Sequence, residues 1–151
     1  MSRQEGRATA NTASVVLQTV EGTGLVFEAR LPDGTRFLMD SSETPRGPSP
    51  VATVLAALGG CGAMDVIGIL RKQRQMVTGY EVALTGERHP VHPRRFTRIE
   101  IVHRVRGRNL SAKAIEEAIR LSDTKYCSVH ATLAPSVEIV SRYEIIPDGA
   151  G

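Results

Sequence analysis

The segment that decides the fold reads Ser49-Pro-Val-Ala-Thr-Val-Leu-Ala-Ala-Leu-Gly-Gly-Cys-Gly-Ala-Met-Asp-Val-Ile-Gly-Ile-Leu70, an apolar run near the middle of the chain. Ser is favoured as a helix N-cap and Pro at the first helical position, so the run predicts a helix beginning at Pro50. We expect this helix to continue to about Gln75, where basic residues suit the negative end of the helix dipole. Because the run is apolar nearly all round, most of the helix is predicted to be buried.

Strands are predicted on both sides of this helix. Before it, a three-strand meander is expected, with a hairpin turn at Glu21-Gly22 and strands at Ala13–Val20, Thr23–Arg30 and Thr35–Asp40. After it come a second helix capped by Ser111, a short segment starting at Cys127, and strands at Glu81–Glu87, Arg95–Arg104 and Ser136–Ile146. Runs of strands and helices that do not alternate predict an α+β fold, and we expect the later strands to pair antiparallel.

Length and composition narrow the class of protein. The 151 residues predict a single domain over residues 13–147, preceded by a flexible polar tail over residues 1–12. The net charge of +3 and the arginines between Arg94 and Arg108 are too little to predict nucleic-acid binding without a recognition motif. The first residues show no signal-peptide core, and Gly59, Gly60 and Asp65 interrupt the best apolar run, so we expect a cytoplasmic protein with no membrane span.

The chain has two cysteines, Cys61 and Cys127. In a reducing cytosol such a pair is more often redox-active, catalytic or metal-binding than structural. Three glycines flank Cys61, and because each costs a helix roughly 1 kcal/mol against Ala, they suggest close backbone approach or room for a ligand beside the sulfur. If Cys127 opens a short helix, the free N–H groups there would favour its thiolate, and Lys125 and His130 would add positive character.

Other interpretations remain open at this point. Each cysteine has the simpler interpretation of a small buried apolar side chain. Asp65, one helical turn after Cys61, would either make an internal hydrogen bond or orient an arginine. The four histidines do not form a metal-ligand spacing, so we expect no metal and no cofactor.

Two motifs together resemble a known family. Ser49-Pro50 with Gly-Gly-Cys-Gly-Ala-Met-Asp-Val at 59–66, and Lys-Tyr-Cys-Ser-Val at 125–129, are similar to the OsmC/Ohr family of osmotically inducible and organic hydroperoxide resistance proteins, in its OsmC-like subgroup. The resemblance implies an intertwined α+β homodimer whose long central helix is buried. It also implies that Cys61 is the peroxidatic thiol and Cys127 the resolving thiol, that organic hydroperoxides are reduced, and that a small dithiol or a lipoylated protein supplies electrons.

The same resemblance implies an arginine that stabilises the thiolate and a glutamate that holds this arginine. The glutamate usually follows the first proline of the helix, where this chain has Val51 and Ala52, and the first hairpin turn carries no arginine. We expect Arg46, with Glu43 as its carboxylate, to take these roles, and Arg36 and Arg30 are the next candidates.

Three functions are compatible with the sequence. The first is a thiol-dependent peroxidase acting in oxidative stress defence. The second is a non-enzymatic dimeric binding protein of the same fold, with an apolar interface pocket and redox-sensitive cysteines. The third, ranked last because it has no identifiable orienting acid, is a hydrolase using Cys127 and His130.

Overall fold

The chain divides into two compact units, Met1–Thr53 and Val54–Gly151. A computed structural model describes residues 10–18 and 25–149. The predicted tail over residues 1–12 lies almost entirely outside the described residues, as does the predicted hairpin turn at Glu21-Gly22. The single domain predicted for residues 13–147 stays a prediction.

The first unit contains the predicted meander. Its strands are β1 (Ser14–Gln18), β2 (Val26–Arg30) and β3 (Arg36–Asp40), paired antiparallel in the order β1-β2-β3. The turn between β2 and β3 is built as its sequence predicts, with Gly34 at φ 88° and the backbone N–H of Thr35 donating to Asp33 Oδ1 at 2.9 Å. Both the strand order and the turn are therefore confirmed.

The central helix, α1, spans Pro50–Lys72. Ser49 caps it as expected, because its Oγ accepts a hydrogen bond from the backbone N–H of Ala52 at 3.2 Å. The helix ends before Gln75, because Arg74 adopts a left-handed conformation with φ 56° and the N–H of Gln75 turns back to the carbonyl of Leu70 at 2.9 Å. The predicted end was therefore a few residues too late.

The expectation that most of α1 is buried is wrong for the described residues of one chain. Only 22% of its most apolar window is buried, and the buried residues are Leu58, Gly59, Val66 and Leu70. The rest of the second unit packs against one side of α1. The apolar side chains on the other sides of α1, such as Met64, therefore remain exposed.

By length and composition α1 could also cross a membrane, with a mean hydropathy of 1.8 over its most apolar window. The expectation that the glycines and Asp65 prevent a membrane span is therefore wrong, since membrane helices tolerate glycine and this window carries few charges. A single helix of this kind is weak evidence for a membrane, because core helices of water-soluble proteins have the same length and composition.

The second unit is built on a three-stranded sheet in the order β4-β5-β6, with β4 at Met76–Arg88, β5 at Phe96–Arg108 and β6 at Glu138–Pro147. β4 and β5 are antiparallel, and both are longer than predicted. Their pairing continues to Met76 opposite Arg108, through residues in which apolar and polar side chains do not alternate. β6 pairs parallel with β5, which corrects the expectation of antiparallel strands throughout. The intervening helices supply the long crossover that a parallel pair requires.

These helices are α2 (Ala112–Leu121) and α3 (Ser128–Leu133), separated by a π-helical turn at Ser122–Tyr126. Ser111 caps α2 as predicted, accepting from the N–H of Ala114 at 3.2 Å. The α+β class is therefore confirmed.

Two buried clusters hold the second unit together. One joins α1, β5 and α2 through Val66, Leu70, Val105, Ile115, Ala118 and Ile119. The other is formed by Leu58, Ile99, Ile101, Cys127 and Val137, with Cys61 packed at its margin. The two cysteines are therefore positioned by the apolar core of this unit.

The basic stretch on β5 is a network of cross-strand ion pairs. Arg104 contacts Glu81 at 3.0 Å and Glu144 at 3.2 Å, and Arg98 contacts Glu100 and Glu138 at 3.7 and 3.8 Å. Exposed pairs of this kind contribute about 0.2–1 kcal/mol each. The simpler interpretation of this stretch, a solvated strand surface, fits these contacts.

Candidate functional site

The fold brings Cys61 and Cys127 together. Both are free thiols, and the two sulfurs and an Asp65 carboxylate oxygen all lie within 4.8 Å of one another. Cys61 and Asp65 lie one turn apart on α1, whereas Cys127 lies between the π-helical turn and α3. Folding therefore brings two thiols that are distant in the sequence into one site.

The glycines around Cys61 have different explanations. A Cβ built at Gly59 would lie 2.5 Å from Leu84 Cδ1, so this glycine allows β4 to pack closely against α1. Gly60 faces open space, and at Gly62 the nearest atom would be Ser122 Oγ at 3.7 Å. The expected close approach is therefore found at Gly59, and free space is found at Gly60.

A π-helical turn and a helix cap fix the position of Cys127. Its N–H donates to the carbonyl of Ser122 at 2.9 Å, which closes the wider π-helical ring. Its sulfur then serves as the N-cap of α3 and accepts a hydrogen bond from the backbone N–H of His130 at 3.3 Å. Cys127 therefore does begin a short helix, as predicted.

Burial decides the protonation of Cys127. Desolvation raises the pKa of its thiol from the ordinary 9.0 to about 11, with further contributions from a hydrogen bond to Cys61 and from the negative charge of Asp65. The N–H of His130 lowers the pKa, but by less. The N–H at this helix start therefore favours the thiolate as predicted, but burial outweighs it, and Cys127 holds its proton at neutral pH.

Ser122 belongs to the site and was not predicted from the sequence. This hydroxyl is 1% exposed and donates to Asp65 Oδ2 at 3.0 Å, so it orients the carboxylate beside the two thiols. A signal was present, because Ser122 continues the buried face of α2 at helical spacing after Ile115, Ala118 and Ile119. A hydroxyl on such a face must find a polar partner inside the protein. Of the two interpretations of Asp65, the structure shows the internal hydrogen bond.

An apolar groove lies beside the thiol site. It has a volume of about 310 Å³ and is lined by Val54, Ala57, Ser128, Val129, Thr132 and Leu133. Ala57 precedes Cys61 by one turn of α1, and Ser128 directly follows Cys127. The residues that line the groove are therefore neighbours of both cysteines along the chain, although neither sulfur is part of the lining.

Arg46 and Glu43 lie in the first unit, and both are exposed. Among the described residues, the carboxylate that interacts with Arg46 is that of Asp40, whose Oδ2 accepts the Arg46 backbone N–H at 3.0 Å. Hydrogen bonds from Arg46 and Ser42 and the charge of Arg46 lower the pKa of Asp40. The thiols belong to the other unit, so the roles of Arg46 and Glu43 there stay predictions.

The remaining candidates do not assemble into a hydrolase. The imidazole of His130 faces Asp123, with Nε2 3.9 Å from Oδ1, and the contact that His130 makes with Cys127 is through its backbone N–H. Lys125 lies over the ring of Tyr126, 5.3 Å from its centroid. In the described part of the chain, neither side chain acts as a base for Cys127.

An α+β fold with a long central helix and two converging thiols is the arrangement expected of an OsmC-like protein. Comparison with known proteins agrees with this class. The family model described as OsmC-like protein matches residues 41–142. The chain belongs to the OsmC-like family. It is 44% identical over 123 residues to Protein YhfA of Escherichia coli strain K12, covering 82% of this chain and 92% of YhfA.

Solved structures share the fold. A hypothetical protein from Aquifex aeolicus VF5 has a TM-score of 0.82 at 28% identity, covering 93% of this chain and 99% of that one. An organic hydroperoxide resistance protein from Elizabethkingia anophelis has a TM-score of 0.68 at 9% identity, covering 93% and 99%. At that identity the second likeness shows the fold alone.

Proposed function

We propose that this protein is a thiol-dependent peroxidase that reduces organic hydroperoxides. The observation that carries the proposal is the convergence of Cys61 and Cys127 within 4.8 Å, one half-buried and the other fully buried. A similarly folded protein of Elizabethkingia anophelis is an organic hydroperoxide resistance protein, which supports the same chemistry.

The reaction takes place in two steps at the sulfurs. The Cys61 thiolate attacks the terminal oxygen of the hydroperoxide, the O–O bond breaks, and the alkoxide leaves as an alcohol after taking a proton, which gives Cys61 sulfenic acid. The Cys127 thiol then condenses with the sulfenic acid, forming the disulfide and releasing water. An external dithiol, either a small molecule or a lipoyl group on a partner protein, restores both thiols by exchange.

Several observations support Cys61 as the nucleophile. Burial and, after it, a hydrogen bond to Cys61 raise the pKa of Cys127 to about 11, so Cys127 stays a protonated thiol at neutral pH and is a poor nucleophile. Cys61 is also the more exposed sulfur, whereas Cys127 is 4% exposed. The buried thiol is therefore suited to resolving an intermediate that forms on the accessible thiol.

The apolar groove supports an organic hydroperoxide over hydrogen peroxide as the substrate. Its lining by Val54, Ala57, Val129 and Leu133 gives an alkyl or aryl group a surface to cover, at about 25 cal/mol per Å² of apolar area. The direct test is consumption of cumene hydroperoxide by the reduced protein with a dithiol present, compared with hydrogen peroxide under the same conditions. Equal rates for the two peroxides, or no consumption, would contradict the proposal.

One observation favours the second candidate, a dimeric binding protein with redox-sensitive cysteines. The ionisable side chains that shift the pKa of Cys127 among the described residues are Cys61 and Asp65, and Asp65 places negative charge where a peroxidase needs positive charge. If Arg46 of the first unit does not reach the thiols, their oxidation would be slow and would serve as a switch rather than as turnover. Stoichiometric disulfide formation without multiple turnovers would identify this case.

A further inference from the structure

We propose that Cys61, Cys127 and Asp65 form a binding site for a zinc ion when both cysteines are reduced. No metal was expected from the sequence, because the four histidines do not have the spacing of metal ligands. In the structure the convergence needs no histidine, since two sulfurs and a carboxylate oxygen already lie within 4.8 Å of one another. The inference goes beyond the peroxidase proposal and does not depend on it.

The spacing of the three atoms suits a four-coordinate ion. Zinc binds sulfur at about 2.3 Å and carboxylate oxygen at about 2.0–2.2 Å, so tetrahedral ligands lie roughly 3.5–3.8 Å apart. Even two ligand atoms at the 4.8 Å limit would need to approach each other by only about 1 Å to reach that range. Rotation of the side chains can supply such a movement. Cys61 and Asp65, one turn apart on α1, point from the same helix face toward the ion.

The donor set selects the kind of metal. Two thiolates exclude magnesium and calcium, which require oxygen ligands, and favour soft or borderline ions. A carboxylate beside two thiolates is compatible with zinc, which accepts sulfur, nitrogen and oxygen donors. Three protein ligands leave the fourth position for water or a small thiol, an arrangement found in zinc sites that bind an exogenous group.

Two outer contacts already hold the ligands in orientation. Ser122 donates to Asp65 Oδ2 at 3.0 Å, which leaves Oδ1 available to the ion. The backbone N–H of His130 donates to the Cys127 sulfur at 3.3 Å. Hydrogen bonds of this kind fix ligand geometry in metal sites, and their loss typically costs about 10–100-fold in metal affinity.

Zinc binding and disulfide formation use the same two sulfur atoms, so one excludes the other. The ion binds both sulfurs as thiolates, so a sulfur that is bonded in a disulfide is not available to it. Disulfide formation removes both sulfur ligands at once. The site would therefore bind zinc only in the reduced protein and release it on oxidation.

The test uses Co²⁺ as a spectroscopic probe for zinc on the reduced, full-length protein. We expect one Co²⁺ per chain, a sulfur-to-cobalt charge-transfer band, and displacement of the band by Zn²⁺. Cys61→Ser and Cys127→Ser should each lower the band intensity by about half and weaken Zn²⁺ binding by about tenfold or more. Asp65→Asn should keep the sulfur band but also weaken Zn²⁺ binding by about tenfold or more.

The matched control is Asp123→Asn, which removes a nearby carboxylate outside the three-residue cluster and should leave affinity unchanged. Wild-type protein oxidised to the disulfide provides a control without any substitution and should not bind. Equal affinity of the oxidised and reduced proteins, or an Asp65→Asn affinity equal to that of wild type, would overturn the site. A protein that consumes hydroperoxide but lacks the sulfur band would refute the zinc site alone and leave the peroxidase proposal standing.

Discussion

The sulfur of Cys127 lies within 4.8 Å of the sulfur of Cys61, and burial together with a hydrogen bond to Cys61 raises the pKa of Cys127 to about 11. The two thiols are therefore unequal before any reagent arrives. Cys61 is half-buried and open to a reagent, whereas Cys127 is 4% exposed and holds its proton until an intermediate forms on Cys61. This asymmetry assigns different roles to the two cysteines.

The first prediction tests those roles by substitution. Cys61→Ser should abolish consumption of cumene hydroperoxide in the presence of dithiol, because the hydroxyl is not ionised at neutral pH. Cys127→Ser should leave the first turnover intact and stop later ones, since the sulfenic acid would lack its resolving partner. Single-turnover and steady-state measurements on both variants separate the two outcomes. Retention of wild-type turnover by Cys61→Ser would show that the assignment is wrong.

The second prediction concerns the apolar groove. Ala57→Glu places a carboxylate on its lining while keeping a good helix former, so it should lower kcat/KM for cumene hydroperoxide by about tenfold, or roughly 1.4 kcal/mol. The rate with hydrogen peroxide should change little, because that substrate has no apolar part. Ala56→Glu is the matched control: its position is also exposed on α1 but does not line the groove. An equal loss for both peroxides would argue against binding in the groove.

The third prediction is that the protein is a homodimer. α1 leaves large apolar side chains uncovered, and the most exposed of them is Met64 at 77%. Interfaces of obligate dimers resemble a protein core cut in half, so a second copy would cover this surface. Sedimentation should give a dimer of the 16.3 kDa chain at micromolar concentration.

Met64→Lys should shift that equilibrium toward monomer, because a charge would be buried in the interface. Val91→Lys is the control, since Val91 is 64% exposed in the proline-containing loop between β4 and β5. A folded wild-type monomer at micromolar concentration would contradict the dimer.

Sequence patterns predicted elements where local rules apply and failed where distant partners decide. Ser49 and Ser111 are local caps, and both were predicted correctly. The extension of β4 to Met76 depends on its partner Arg108, and the parallel pairing of β6 depends on the crossover; neither is visible in local alternation. The protonation of Cys127 could not be predicted because burial, a property of the whole unit, outweighs the effect of the helix start.

The fourth prediction tests Arg46 as the residue that activates the nucleophile. Arg46→Met should slow the first reaction of the reduced protein with hydroperoxide by more than tenfold, about 1.4 kcal/mol or more of transition-state stabilisation. Arg88→Met is the control, because Arg88 is not a candidate for this role and its Nε donates to the carbonyl of Arg94 at 2.7 Å. Since Asp40 is the carboxylate that interacts with Arg46, Glu43→Gln should have less effect than Asp40→Asn. Unchanged kinetics in Arg46→Met would remove this arginine from the mechanism.

The last prediction concerns a buried pair outside the thiol site. His103 is 2% exposed, its Nδ1 lies 2.6 Å from the Tyr80 hydroxyl, and its Nε2 has no hydrogen-bond partner among the described residues. Burial lowers the pKa of His103 below its ordinary 6.5, although the charge of Asp123 partly opposes the shift. The imidazole is therefore neutral at neutral pH in the folded protein, and its Nδ1 shares a hydrogen bond with the hydroxyl of Tyr80.

The sign of the pH effect follows from the direction of that shift. Below pH 6.5 the unfolded chain takes up a proton on His103 before the folded protein does, so this group stabilises the fold above that pH and its contribution is lost as pH falls. Urea unfolding of wild type should show a falling free energy of unfolding below pH 6.5, and His103→Gln should remove that component. His92→Gln, in an exposed loop, is the matched control and should leave the slope unchanged. Tyr80→Phe should cost about 1–3 kcal/mol at neutral pH, because it leaves the buried Nδ1 without its hydrogen-bond partner. An identical pH slope in wild type and His103→Gln would show that His103 does not set the acid stability of this fold.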